Sequence, residues 1–538
     1  MKKAIQLPVI PEAERTPLVD SLLTIIEQLT ERVCRQDEEI ALLKDEVRVL
    51  KGEKKRPIFK PSQLDKKTEK LNKGGNKEAK DKRRPGSDKR NKNAQLTIHE
   101  DKVIQPEGGI PEGSRFKSYR DFVVQDLVID THNTRYRLAR WETPEGGTLT
   151  GQLPSGLNGR HFGPHLIRYI LYQHHHCHVT QPLLLEQLRE WQVDISKGEL
   201  DRLLSADKED FHQEKEALLV AGLTRSGYVT VDDSGARHKG KNGYVTQIGN
   251  NDFAWFESTG SKSRINFLEL LGTGDKGYRI NEETLTYWRE HKLPQTPFAR
   301  LADHSVNYVA DATKWEAHLD TLGVTKARHR QIATEGALLG NVTHQGKCRN
   351  LVIVSDDAGQ FHILQHGLCW VHTERLIHTL IPLNDGHRED IAKVRGDIWR
   401  LYADLKHYKD QPTAKQKKVL ESRFDEIFTP KTRYQLLNQT LKRIHQNKSE
   451  LLLVLERPEI PLHTNGSERD IRDYVKKKKV SGGTRSALGR RCRDTFASLK
   501  KTCRKQGISF WHYLLDRLTG SGEVPPLSNL VTQRAAST

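Results

Sequence analysis

Leu351-Val-Ile-Val354 is an unbroken apolar run that ends in Ser355-Asp-Asp-Ala-Gly359. A strand apolar at every position is covered on both faces, as the central strands of layered α/β sheets are. A second strand, Tyr228-Val-Thr-Val231, runs straight into Asp232-Asp-Ser-Gly235. Both strands thus end in Asp-Asp-small-Gly. Either alone is a strand entering a turn, because Asp and Gly are turn formers. If the two are parallel neighbours, their C-terminal ends set two carboxylates side by side, which is electrostatically poor unless a cation lies between them.

Two further strand signals, Gly243–Ile248 and Phe253–Phe256, are joined by an Asn-Asn-Asp turn, and Ser263 to Leu271 reads as a helix. Three strands followed by a helix open an RNase H-like layout. A third acid, Glu468, stands in His463-Thr-Asn-Gly-Ser-Glu-Arg469. Asn465 and Glu468 have capping-box spacing, which by itself explains the Glu as a helix start. Arg472 and Lys476 fall on the same helical face at i+4 and i+8, and Lys476–Lys479 extends the stripe. A carboxylate at the head of a cationic stripe suits a phosphodiester substrate. The acid would hold a metal, and Arg469, Arg472, Lys476 and Lys477 would hold the strand. Between His372 and Glu468, the spacing of Ile391, Val394, Ile398, Leu401 and Leu405 marks an all-helical insertion over 376–457. It divides a core of 227–375 and 458–518, where Phe496, Leu499, Phe510, Trp511, Leu514 and Leu515 form the apolar face of closing helices; 519–538 is a tail.

The net charge is +18, and its location says more than its size. Residues 51–93 carry +11 and residues 469–505 carry another +11, so the remainder is slightly acidic. Such clustering points to a polyanion partner rather than to general solubility. The six cysteines are scattered without a C-x-x-C pair, which suits a reducing cytosol and argues against a disulfide scaffold or a Cys₄ zinc site. No apolar run approaches the roughly 20 residues of a membrane helix, and Pro8, Pro11 and Glu12 interrupt any signal-peptide core.

Toward the N-terminus the chain reads as separate modules. Over 17–51, Val19, Ile26, Val33, Ile40 and Val47 occupy one heptad position, and Leu22, Leu29, Leu43 and Leu50 the other. β-Branched a and leucine d positions favour a parallel two-stranded coiled coil. In that register Arg32 faces Asp37, Glu39 faces Lys44 and Glu46 faces Lys51 of a partner. Residues 52–113 form a basic, disordered linker. Alternation at Phe122–Ile129, Tyr136–Trp141 and Thr148–Leu153 predicts a small β module over 114–158, without a cysteine and so without zinc. Residues 160–222 return to helical spacing, with a turn at 192–195 and a capping box from Ser196 to Glu199. This is a helix-turn-helix pattern in which Lys197 and Arg202 could meet DNA, or an ordinary helical hairpin. His174-His-His-Cys-His178 reads as a polar helix end, since consecutive helical residues point around the axis.

Taken in order, these motifs resemble the transposases of the insertion sequence 66 family, the TnpC type within the DDE group. That family reads V-D-E-T-G where this chain has Val231-Asp-Asp-Ser-Gly235, and S-D where it has Ser355-Asp356. Its C-x-A-H is matched by Cys369-Trp-Val-His372, and its N-N-A-A-E-R by Thr464-Asn-Gly-Ser-Glu-Arg469. The resemblance implies a multidomain α+β protein: coiled coil, small β module, helix-turn-helix, and an RNase H-like core with an all-helical insertion. It implies Mg²⁺, with Mn²⁺ as a substitute and no zinc, held by catalytic Asp232, Asp356 and Glu468. It further implies double-stranded DNA as partner, a homodimer or higher oligomer, accessory proteins of the same element, and a bacterial cytoplasmic, nucleoid-associated location. Asp233 and Asp357 remain alternatives at the doubled acids, and the role of Cys369 and His372 stays open. A dimeric DNA-binding regulator and an RNase H-like nuclease or resolvase are the rival readings.

Overall fold

The computed structural model describes residues 16–50, 97–154, 157, 161–275, 277–303, 305–344, 348 and 350–535. The linker residues 51–96 and the side chains of Leu43, Val47 and Leu50 lie outside the described residues.

The centre is a five-stranded mixed sheet. Its strands are β1 (Tyr228–Gly235), β2 (Tyr244–Gly249), β3 (Ala254–Thr259), β4 (Val352–Ser355) and β5 (Gln365–Leu368), in the order β3-β2-β1-β4-β5. β2 runs antiparallel to both neighbours, while β1, β4 and β5 are parallel. The apolar run of β4 divides between two cores. Ile353 joins Val229, Val231, Phe267 and Leu268 on one face. Val352 and Val354 join Leu368, Trp370 and the later helices on the other. That double coverage is why no polar residue interrupts the strand.

On the first face lie the helices of the 164–225 region and a module between β3 and β4. The latter contains the helices Arg264–Leu271 and Ala327–Val342 and a two-stranded ribbon, Tyr278–Arg279 with Tyr308–Val309. The second face carries α8 (Trp370–His378), α9 (Asp385–Asp410), α10 (Ala414–Phe428) and α11 (Gln435–Gln446), followed by α12 (Asn465–Ser481); α1 (Pro17–Leu50), α2 (Gln181–Glu190), α3 (Lys197–Ser205), α4 (Glu209–Arg225), α5–α7 (Arg264–Leu271, Glu282–Glu290, Ala327–Val342) precede them in the chain. α13 (Ala487–Lys505) covers the free edge at β3. The last residues do not trail away: Leu527–Ala535 is a helix whose Leu527 and Val531 are buried, and the Leu527 N–H donates to Glu214 on α4 at 3.0 Å.

The N-terminal segments depart from expectation in one place. α1 is one continuous helix, and its heptad residues Leu22, Ile26, Leu29, Val33 and Ile40 are all exposed. Between α2 and α3 the turn is closed as the sequence suggested, with Ser196 Oγ accepting from the Glu199 N–H at 3.1 Å. The β module, however, is only a hairpin. Among the described residues of 97–154 the strands are Arg140–Glu142 and Thr148–Thr150. Phe122–Ile129 is not a strand, and Phe122, Val124, Leu127 and Val128 are all exposed. Two short strands without a third give alternating residues no second layer to bury against. No helix among the described residues is long and apolar enough to cross a membrane.

Candidate active site at the strand ends

The register between β1 and β4 pairs Tyr228 with Val352, Val229 with Ile353 and Thr230 with Val354. Counted on from there, Asp232 corresponds to Asp356 two residues later and Asp233 to Asp357 three residues later, just past the end of β4 at Ser355. Side chains alternate along β1, so Asp232 and Asp233 point to opposite faces, whereas Asp356 and Asp357 lie just past the end of β4 and both line one cavity with His372 and Arg443.

The members of each doublet differ in charge partners. Asp233 is ion-paired with Lys262 and accepts from Gln360 Nε2 at 2.7 Å. Asp357 is ion-paired with Arg443 and has His362 Nε2 at 3.6 Å. Asp232 and Asp356 make no salt bridge among the described residues, although the charge of His372 acts on Asp232. Each accepts from a backbone N–H, of Asp233 at 2.7 Å and of Ala358 at 3.2 Å respectively. Burial pushes the Asp232 carboxyl up to about 6; the Asp233 N–H opposes that push, and the charges of Asp356 and Asp233 add to it. Directly across the β1–β2 ladder from Asp232 stands Gln247, 1% exposed, with both amide atoms buried and lacking a hydrogen-bond partner.

Glu468 comes to the same face on α12. The chain before that helix is fastened to α8, where Trp370 N donates to Leu462 O at 3.0 Å and Thr464 N to Cys369 Sγ at 3.4 Å. Ser467 Oγ then meets Thr230 Oγ1 on β1 at 2.5 Å, and Lys478 Nζ donates to Gly235 O at 2.7 Å, so the helix follows β1. The expected capping box does not form: Asn465 is already inside the helix, and no side chain caps it. Glu468 is therefore not occupied as a cap. Its Oε1 is buried without a hydrogen-bond donor, with His372 Nε2 at 3.4 Å and Arg375 Nη2 at 3.8 Å. Hydrogen bonding to Cys369 holds His372 above its ordinary range against the effect of burial.

Three carboxylates, two of them without a salt bridge and one with an orphaned oxygen, fit hard divalent cations by donor chemistry. They are not gathered around one point. Among the described residues, the His/Cys/Asp/Glu set whose ligand atoms all lie within 4.8 Å of one another is His362, His366 and Glu450. A wider spread of acids is what two ions about 3.5–4 Å apart require.

The expected cationic stripe is partly corrected. Arg469, Arg472 and Lys476 are exposed along one side of α12. Lys477 is not with them: it is buried, donates to His174 O at 2.6 Å, and is pushed down to about 7 by burial beside Lys500 and Arg493. It lies on the face formed by Ser467, Asp470, Ile471 and Tyr474, which packs on the sheet. On α3 Lys197 is exposed, whereas Arg202 is exposed but ion-paired with Glu199. The histidine run lies in a wide π-helical turn, Tyr172–His176, that follows the helix Pro164–Leu171, with His175 stacked on Phe496 at 4.2 Å. Sequence reasoning missed Lys262, Arg443 and Gln247. The first two carried no signal, since a cation's distant partner is invisible in one sequence; a glutamine inside a strand otherwise bound for the core was visible. Beside the acids, a cavity of about 360 Å³ opens between Asp356, His372, Arg375, Arg443 and Asn447.

A known family and a known protein compare with this chain. Residues 324–491 match the model of the family described as "Transposase IS66 family". The chain is also 41% identical over 321 residues to "Uncharacterized protein y4jO" of Sinorhizobium fredii, a match spanning 59% of this chain and 100% of that protein. The family match takes in Asp356, Cys369, His372 and Glu468 but begins after Asp232.

Proposed function

The chain belongs to the transposase IS66 family, and from that premise we propose that it is a DDE-type transposase with an RNase H-like core, cutting element ends and joining them to target DNA. The carrying observation is the pair Asp232 and Asp356 at the C-terminal ends of adjacent parallel strands, neither in a salt bridge among the described residues, while their neighbours Asp233 and Asp357 are each ion-paired. Asp232, Asp356 and Glu468 would hold two Mg²⁺, with Mn²⁺ as a substitute. Bound there, the ions would supply Lewis-acid charge for the phosphoryl oxygens and make a water or 3′-hydroxyl more acidic.

The protein's own groups do the remainder. Lys262 and Arg443 neutralise the second acids, so that two like-charged strand ends can stand side by side. His372 and Arg375 face Glu468 and orient it. Arg469, Arg472 and Lys476 neutralise backbone phosphates leading to the acids, a contact that weakens with salt. Displacement at phosphorus is in-line, without a covalent enzyme intermediate, so cleavage and joining share one site. Residues 160–222 would contribute to end recognition, and α1 would pair two subunits.

The test is cleavage and joining of labelled element ends with Mg²⁺, with binding followed by mobility shift. Asp232→Asn, Asp356→Asn and Glu468→Gln should each lose at least 10²-fold in chemistry while binding DNA as wild type does. Asp233→Asn and Asp357→Asn should retain chemistry to within about tenfold, as expected of supports rather than ligands. Triad variants as active as wild type would overturn the assignment. Cutting without joining would favour a nuclease.

A further inference from the structure

Behind the second acid doublet lies a group of residues that the proposed chemistry does not use. His362 follows a short helical turn at Gly359–Phe361, His366 lies on β5, and Glu450 comes from the turn of helix Lys448–Leu451. One ligand atom from each lies within 4.8 Å of the others. Leu364, between the two histidines, has φ +56°, a left-handed conformation that a leucine rarely adopts. The two imidazole rings lie 4.3 Å apart, centroid to centroid.

Two bland readings are available. Ser355 Oγ lies 2.8 Å from His366 Nε2, and His366 Nδ1 lies 2.9 Å from Glu450 Oε1. That is the hydrogen-bond chain of a serine hydrolase, but Ser355 is 0% exposed, so no substrate reaches its hydroxyl. A purely structural chain would explain His366 and leave His362 unexplained. His362 Nε2 is buried without a hydrogen-bond partner, and the nearest charged oxygen is Asp357 Oδ1 at 3.6 Å.

We infer that His362, His366 and Glu450 form a binding site for a borderline divalent cation of the zinc or cobalt class, separate from the three acids. Imidazole nitrogens with one carboxylate select such ions over Mg²⁺, which prefers an all-oxygen set. His366 has the arrangement of a metal ligand with its outer partner: Nδ1 faces Glu450, and Nε2 can donate to Ser355 Oγ, which in turn donates to Asp356 O at 2.5 Å. The ion would tie β5 and the loop after β4 to the helical insertion, stiffening the strand end that carries Asp356. This departs from the expectation of no zinc, which rested on cysteines. It stands independently of the transposase reading.

The full-length protein is stripped with a chelator and titrated with Co²⁺, following visible d–d absorption, and then with Zn²⁺ in competition. Wild type should take up about one Co²⁺ per chain with the intense bands of a low-coordinate site, displaced by Zn²⁺ and not by millimolar Mg²⁺. His362→Ala and Glu450→Gln should lose that signal, with circular dichroism confirming that both fold. Asp356→Asn should keep it, as should a His176→Ala/His178→Ala variant, which removes two histidines of the other cluster. The proposal is overturned if wild type shows no such band, if His362→Ala and Glu450→Gln both retain it, or if Asp356→Asn or the His176/His178 variant abolishes it.

Discussion

At the level of single residues, the proposed active-site acids place unlike demands on stability and chemistry. Asp232 is pushed up to about 6 from an ordinary value of 3.8 by burial and by the charge of Asp356. A carboxyl raised in the folded state stabilises that state while protonated, so its contribution is fully present below about pH 4 and is lost as pH rises through 6. In metal-free protein, Asp232→Asn should therefore be more stable than wild type above pH 6. The gain is at most about 3 kcal/mol for a shift of about two units, and it should vanish near pH 4. Urea unfolding across pH 4–8 in the presence of a chelator measures it. Mg²⁺ should shrink the difference by stabilising wild type alone. A pH-independent difference would mean that the Asp232 carboxyl is not raised in the folded protein. The doublets themselves were legible in the sequence; which acid of each was free was not, because Lys262 and Arg443 reach them from elsewhere in the chain.

Among the elements, α13 shows how the free edge of the sheet is closed. The outward N–H groups of β3 at Ala254, Phe256 and Ser258 donate to Thr502 Oγ1 at 3.2 Å, Ser498 Oγ at 2.9 Å and Asp494 Oδ2 at 3.0 Å. Acceptors at i, i+4 and i+8 of a helix meet donors at every second residue of a strand, so a helix stands in for a sixth strand. Ser498→Ala leaves the buried Phe256 N–H unsatisfied and should cost about 1–3 kcal/mol, read from the denaturation midpoint. Ser498→Thr, which keeps an acceptor, should lose less; equal losses would assign the effect to packing instead. None of this was legible in advance, because Asp494, Ser498 and Thr502 look like ordinary polar helix residues until the strand they face is known. The same blindness misplaced Lys477. Four consecutive lysines must point around a helix, and only tertiary packing decides which one is buried. The β module fell short for the opposite reason: the local alternation made a hairpin at 140–150, but among the described residues no third strand pairs with it.

For the whole molecule, the open question is what the exposed heptad face of α1 is for. At 34 residues the helix is about 50 Å long. Its only side-chain hydrogen bond to the remainder of the chain among those described joins Glu31 to Gln435 on α11, and Leu22, Ile26, Leu29, Val33 and Ile40 stay outward. Leu22, Ile26 and Leu29 are 49%, 41% and 54% exposed. An isolated helix with a bare apolar stripe gains little from helix formation alone, and a second copy supplies the missing surface. The prediction is that the full chain sediments as a dimer, and that Ile26→Lys with Leu29→Lys makes it a monomer by placing like charges in the seam. Thermal unfolding of the sheet domain should be unchanged, since neither residue contributes to either core. A single subunit would still bind one DNA end, with its salt dependence intact, because the cations of α12 are untouched. It should fail to hold two ends together, so joining should fall much further than cleavage of a single end. A dimer that survives both lysines would place self-association elsewhere. A wild-type monomer would leave the stripe to a different partner, and pairing of ends would then have to be organised by the DNA itself.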